Sequence, residues 1–172
     1  MGAGTITDRP FADLLDWFEQ VGVEYEIHEH VPVVTARETA EAEGVDPSTF
    51  AKVVGVRTTD ERTALIVLDA TDRLDLHKAR RVLESSDVRL LTEPELHDLA
   101  PGCELGAMPA VGRLFNLPTY ADHAVRDHPE ISFNAGNHRF SARVDRAAWE
   151  RACGVVYVDV ARRSDRPAWD AE

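Results

Sequence analysis

The chain has 172 residues, with 31 acidic and 19 basic side chains and a formal net charge of −12. That length supports one domain around a single buried core, and 44% hydrophobic with 29% charged residues excludes wholesale disorder. So acidic a chain argues against an extensive phosphate-gripping surface, because affinity for nucleic acid grows with the number of phosphates neutralised. The most apolar run, residues 64–68, is far short of the roughly 20 residues that span a bilayer, and residues 1–10 hold no apolar signal core. A cytoplasmic protein with no membrane partner is the expectation. Cys103 and Cys153 form neither a disulfide framework nor a CxxC knuckle, and read as partly buried free thiols.

Phe11, Leu14, Leu15, Phe18 and Val21 recur at helical spacing between Pro10 and Gly22, which predicts an amphipathic helix over 10–21. Tyr25 and Ile27 alternate with Glu24, Glu26 and His28 as in a half-exposed strand. Thr35 and Glu38 fit a capping box that opens a short helix ended by Gly44. Asp46-Pro47 starts another helical turn, and a strand over 53–56 follows, which places Lys52 at a helix-to-strand junction. The apolar, β-branched run 64–68 predicts a buried strand. Helices are expected over 75–84 and from Thr92 to near Leu99, a strand over 88–91, and mostly loop from 101 to 118. Two strands, at Ile131/Phe133 and over 140–144, are joined through 134–137. A helix over 146–152 and a strand over 155–160 close the domain. The expected architecture is one α+β domain with a mixed sheet, comprising a leader 1–9, a domain 10–162 and a flexible tail 163–172.

Charge is uneven along the chain: residues 1–46 hold 11 acidic and 2 basic side chains, whereas 47–172 hold 20 and 17. His28 and His30 share a strand face as a metal pair would, but that face is polar and a solvated role is expected. Asp69, Asp72 and Asp75 follow a buried strand, and turn or helix-cap roles explain the last two. Cys103 has no flanking signature of a thiol nucleophile. Glycine-rich phosphate loops and GxSxG are both missing, which argues against the commonest NTPases and serine hydrolases.

Lys52 differs from all of these. It lies in the apolar stretch Phe50-Ala51-Lys52-Val53-Val54 of a chain that uses arginine at 17 of its 19 basic positions. One reading is a snorkelling lysine at a strand edge. The other is a place where a compact ammonium fits and a planar guanidinium does not. Lys78, beside Arg80 and Arg81, reads as an ordinary solvated position. Gly102, Gly106, Pro109 and Gly112 frame a loop that serves turn chemistry or brings backbone N–H groups close to a ligand. The connection Asn134-Ala135-Gly136-Asn137-His138 is a hairpin turn or a pocket wall, and His138 alone is a weak candidate base.

In order, Ala51-Lys52-Val53-Val54, Leu74-Asp75-Leu76-His77-Lys78, Cys103-Glu104-Leu105-Gly106-Ala107-Met108-Pro109, Tyr120-Ala121-Asp122 and Phe133-Asn134-Ala135-Gly136-Asn137-His138 resemble the YbaK / prolyl-tRNA-synthetase-associated domain family. These are stand-alone relatives of the editing domain inserted in bacterial prolyl-tRNA synthetases. The resemblance implies an α+β fold around a strongly curved, barrel-like mixed sheet with surrounding helices. It implies a trans-editing aminoacyl-tRNA deacylase acting on a small amino acid (Cys, Ala, Ser or Thr) on tRNA-Pro or another tRNA. The partners it implies are the tRNA 3′ end and a synthetase, with no DNA and no metal or organic cofactor. Lys52 matches the family's essential lysine. Gly106, Ala107, Met108 and Pro109 match its substrate loop, and Ala135, Gly136 and His138 its AGxH-like segment.

The loop departs from the common Pro-Pro-Phe-Gly: Ala110 and Val111 stand where the second proline and the phenylalanine are usual, a change expected to widen or loosen the pocket. Two other classes fit the same residues, a non-catalytic tRNA-end or small-ligand binding module and an acidic regulatory partner.

Overall fold

Strand pairing follows the apolar pattern closely enough that most of the expected elements fall where they should. The computed structural model of the protein describes residues 8–33 and 35–163, so nearly all of the expected leader and tail lie outside the described residues. Helix α1 (Ala12–Val21) buries Leu14, Trp17 and Phe18 and ends at Gly22, whose positive φ closes the helix. Strand β1 (Tyr25–Glu29) follows, then α2 (Ala36–Glu43). The Thr35 side chain accepts the Glu38 N–H as the sequence suggests.

The middle of the chain gives β2 (Ala51–Thr58), β3 (Thr63–Asp69), β4 (Asp72–Leu74), α3 (Leu76–Val82), β5 (Val88–Leu90) and α4 (Glu93–Leu99). Asp75 caps α3 through the amides of His77 and Lys78, and Thr92 with Glu95 closes a full capping box on α4. After the long loop come β6 (Thr119–Asp122), β7 (Glu130–Asn134), β8 (Phe140–Asp145), α5 (Arg146–Cys153), β9 (Val156–Val158) and β10 (Ala161–Arg163).

These strands form three sheets. One has the order β1-β8-β7 and is antiparallel; one is the mixed sheet β5-β2-β3-β6-β9; the third is the ribbon β10-β4. A parallel bridge between Phe50 and Ser132 ties the first to the second at the start of β2. The result is a set of mixed sheets and not a closed barrel, which corrects the barrel-like detail of an otherwise matching α+β expectation. Strands β4, β6 and β10 have no clear sequence signature. Each is three or four residues long, and β6 pairs in parallel with β3 and β9, partners distant in sequence. Lys52 is also corrected: it is the second residue of β2 rather than a junction residue.

Alternation along β2 divides the interior. Ala51 and Val53 join the main core of Leu14, Phe18, Phe133, Ala135 and Trp149. Val54 and Val56 face a second core of Ile66, Leu68, Ala79 and Val160 on the opposite side of the sheet. The site loop is fixed from within. Ala110 and Val111 are both fully buried, and the Ala110 carbonyl accepts the Trp149 indole N–H at 2.7 Å. The two departures from the family loop therefore sit in the core. Trp149→Phe leaves that buried carbonyl only the weak Cys153 thiol donor at 4.0 Å and is expected to lower stability by about 1–2 kcal/mol, read from the midpoint of urea unfolding at unchanged slope.

Candidate functional site

Two of the segments singled out in the sequence are bonded to each other. The Glu104 amide donates to the Gly136 carbonyl at 2.8 Å, and the Gly136 amide donates to the Ala107 carbonyl at 3.0 Å. His138 closes the contact from its side chain, with Nε2 2.7 Å from the Leu105 carbonyl. A carbonyl only accepts, so Nε2 carries a proton. Gly106 takes φ +79 beside the His138 ring. Among the described residues the amides of Gly106 and Met108 have no hydrogen-bond partner, so the loop offers two free N–H donors. Phe11 holds the assembly from below: its amide donates to Ala135, and its ring and Cβ pack on Gly102 and Gly136.

Lys52 stands apart from these bonded segments. Its register partner is Leu68, so it leaves the sheet on the face opposite Ala51 and Val53. Among the described residues no hydrogen bond or ion pair joins its ammonium to residues 106–109 or 135–138. Burial lowers its pKa below the ordinary lysine value, Asp72 nearby works against that shift, and Arg73 adds to it. The link to the other segments is the Phe50–Ser132 bridge. Lys52 and Asn134 lie two residues beyond it on their strands and share its face, and Asn134 leads directly into Ala135.

Several side chains here are invisible to sequence patterning. His30 is not on a solvated face but 8% exposed, with Nε2 3.6 Å from the Glu43 carboxylate of α2. Its Nδ1 lies 3.0 Å from the Val31 carbonyl and so bears the proton. Glu43 Oε1 also accepts the Ser141 hydroxyl, and Ser141 stands opposite Asn134. The buried side-chain atoms without a partner among the described residues are His30 Nε2, Glu43 Oε2, Asn134 Oδ1 and His138 Nδ1. Of these, Glu43 Oε2 and Asn134 Oδ1 are oxygen acceptors, and the other two are imidazole nitrogens. The one cue in the sequence is Ser132 and Asn134 alternating with Ile131 and Phe133.

A further buried pair is Asp69 and His128, 3.0 Å apart at the end of β3. Burial raises the Asp69 pKa to about 6; the His128 hydrogen bond and charge pull it down, and Asp72 and Asp122 push it up. Asp122 accepts the amides of Ala124, Val160 and Ala161, which locks β6 to the chain before β10. Lys78 is not simply solvated, since its ammonium binds Asp159 and the Ala161 carbonyl. Both cysteines are free and buried, and burial pushes each thiol up to about 12, far from the thiolate a nucleophile requires. His28 stays on the rim against Glu26, and the described residues contain no group of three potential metal ligands.

The sequence matches the family model for the aminoacyl-tRNA editing domain over residues 30–152. The chain therefore belongs to the aminoacyl-tRNA editing domain family. The matched span contains Lys52, the 106–109 loop and the 135–138 segment. Among solved structures the chain resembles a candidate trans-editing enzyme for prolyl-tRNA synthetase, at 25% identity and TM-score 0.78, over 87% of this chain and 95% of that one. It also shares its fold with the hypothetical protein APE2540, at 20% identity and TM-score 0.79 over 87% and 99% of the two chains. A candidate signal transduction protein from Marinobacter aquaeolei VT8 carries the fold within a longer chain, at 15% identity and TM-score 0.69 over 87% of this chain and 30% of that one. No curated protein matches the sequence. No helix among the described residues is long and apolar enough to cross a membrane.

Two outcomes follow from this geometry. A Cβ at Gly136 would lie 2.4 Å from that of Phe11, at φ +95. Gly136→Ala is thus expected to cost about 2 kcal/mol or more, from left-handed backbone strain and the displaced ring, measured by thermal and urea unfolding. Asp69 holds its proton more tightly folded than unfolded, where its ordinary value is 3.8. It therefore contributes stability that is complete below pH ~4 and is lost as pH rises through ~6. Asp69→Asn removes that dependence, and the difference between the parent and variant unfolding free energies should fall across this window.

Proposed function

We propose that the protein is a trans-editing aminoacyl-tRNA deacylase, which hydrolyses the ester joining a mistakenly attached small amino acid to tRNA. The substrate class is Cys, Ala, Ser or Thr on tRNA-Pro or another tRNA, and only the tRNA 3′ end enters the site. The observation that carries this reading is Lys52: a half-buried ammonium inside a family whose members edit aminoacyl-tRNA. A half-buried cation that burial disfavours, with Asp72 offsetting only part of that cost, is suited to hold an anionic or carbonyl group of a ligand.

The chemistry asks little of the protein. An aminoacyl ester is already activated, and its protonated amino group makes the carbonyl more electrophilic. Water adds to that carbonyl, the tetrahedral oxyanion collapses, and the ribose oxygen leaves with a proton as the free amino acid is released. What the enzyme supplies is position and stabilisation of the oxyanion. In this reading Lys52 holds the 3′-terminal adenosine or the carbonyl end of the substrate. The free amides of Gly106 and Met108 line the ester, Ala107 and Pro109 shape the loop, and Ala135, Gly136 and His138 bound the amino-acid pocket. The substrate's own ribose hydroxyl helps to activate water. A synthetase that carries the tRNA is the expected partner.

The deciding measurement is deacylation of a panel of mischarged tRNAs (Ala, Cys, Ser and Thr on tRNA-Pro and on non-cognate tRNAs) by the parent protein and by Lys52→Ala and Lys52→Arg. Both variants are expected to lose about 10²-fold or more of kcat/KM, the scale for removing one oxyanion-stabilising donor. Variants that match the parent refute the role of Lys52. Tight binding of the panel without turnover by the parent would instead make the protein a binding module on the same fold.

A further inference from the structure

The ribbon β10-β4 presents two like charges side by side. Arg162 of β10 stands directly opposite Arg73 of β4, so both side chains leave the same face, about 5 Å apart at their Cβ atoms. Both are exposed. Their neighbours in β4, Asp72 and Leu74, alternate to the other face, where Asp72 is buried and Leu74 packs on the second core. Like charges placed directly opposite destabilise a strand pair. A ribbon of two three-residue strands has little pairing energy with which to offset them.

The register that creates this pair is imposed from outside the ribbon. The Asp75 amide donates to the Val160 carbonyl at 2.8 Å, and Lys78 Nζ donates to the Ala161 carbonyl at 3.1 Å. Buried Asp122 accepts the amides of Val160 and Ala161, each at 3.0 Å. Protein carboxylates relieve the two arginines little. Asp75 Oδ2 lies 4.0 Å from Arg162 Nη2, beyond hydrogen-bond distance, and Asp75 Oδ1 already caps α3 through two amides. Among the described residues Arg73 forms no ion pair. Lys52 lies close enough for the Arg73 charge to depress its pKa, so three cations gather where Lys52 leaves the sheet.

We propose that the Arg73–Arg162 pair is a clamp for one backbone phosphodiester of single-stranded RNA. Resting on the deacylase reading above, that phosphate is the one on the 5′ side of the terminal adenosine held at Lys52. Each guanidinium offers paired N–H donors that match phosphate oxygens, and an anion seated between the two turns their repulsion into attraction. A pair of this size suits one phosphate rather than a tract, in keeping with a chain whose net charge is −12. Arg73 and Arg162 are positioning residues: they fix how far the RNA 3′ end advances toward Lys52 and touch no reacting atom.

The test is binding of an RNA hairpin with a single-stranded -CCA 3′ end to the intact protein, followed by fluorescence anisotropy across a salt series. The double variant Arg73→Gln/Arg162→Gln is expected to bind about 10-fold more weakly at low salt, the scale of charge-assisted contacts to one phosphate. Its plot of log affinity against log salt should be shallower by about 0.7, the share of one single-strand phosphate. Arg73→Lys/Arg162→Lys should recover most of that slope, and Arg151→Gln, exposed on α5, should leave it unchanged. In deacylation the Gln variant should raise KM and keep the parent kcat. No binding by the parent, an unchanged slope in the Gln variant, or a loss matched by Arg151→Gln overturns the proposal. Inorganic phosphate is the second arm: if it displaces the RNA at concentrations near the RNA's own Kd, the pair is a free-phosphate site and its place beside the adenosine is refuted. The deacylase reading fails separately. The expected slope change without turnover of any mischarged tRNA would leave the clamp standing and remove the reaction.

Discussion

Strand β2 has to satisfy two interiors at once, and the rest of the site depends on how it does so. Its odd-numbered side chains at 51 and 53 enter the main core, while Val54 and Val56 enter the second core across the sheet. Side chains alternate with a period of two, so a one-residue slip of β2 against β3 would drive the Lys52 ammonium into the main core and expel two apolar residues. Lys52 is tolerated because the register Lys52–Leu68 brings it out at the strand's beginning, where the second core ends and Asp72 stands nearby. The same stretch of chain makes the Phe50–Ser132 bridge, so one register fixes both where the cation emerges and which strand of the other sheet lies beside it.

Much of this was legible from residue patterns, for reasons that can be named. The apolar period of α1, the β-branched run of β3 and the caps at Thr35, Asp75 and Thr92 are local signals, and each acts within its own few residues. Strands β4, β6 and β10 carry no such signal, because their reason for being extended is a partner distant in sequence. The candidate site divides in the same way. The unusual glycines mark the 106–109 loop and the 135–138 turn, and the scarcity of lysine marks Lys52. That the loop and turn are sewn together by two backbone hydrogen bonds, or that His30 turns inward to meet Glu43, is decided by tertiary packing alone.

The Asp69–His128 pair illustrates how the fold concentrates charge that sequence reading spreads out. The carboxylates of Asp69, Asp72 and Asp122 come from three different strands and meet where the parallel strands β3 and β6 end. Asp122 is satisfied by three amides, and Asp69 by an imidazole. Asp72, from the start of β4, is the carboxylate whose charge favours the Lys52 ammonium. One neighbour of that kind keeps the ammonium from being wholly uncompensated.

The net charge of −12 then takes on a direction. The segment that carries most of it, residues 1–46, supplies His30 and Glu43, whereas Lys52 comes from the nearly balanced remainder. Acidity concentrated in one segment argues against a long grip on a polyphosphate body, yet leaves the nearly balanced remainder open to contact with a single phosphate or nucleotide.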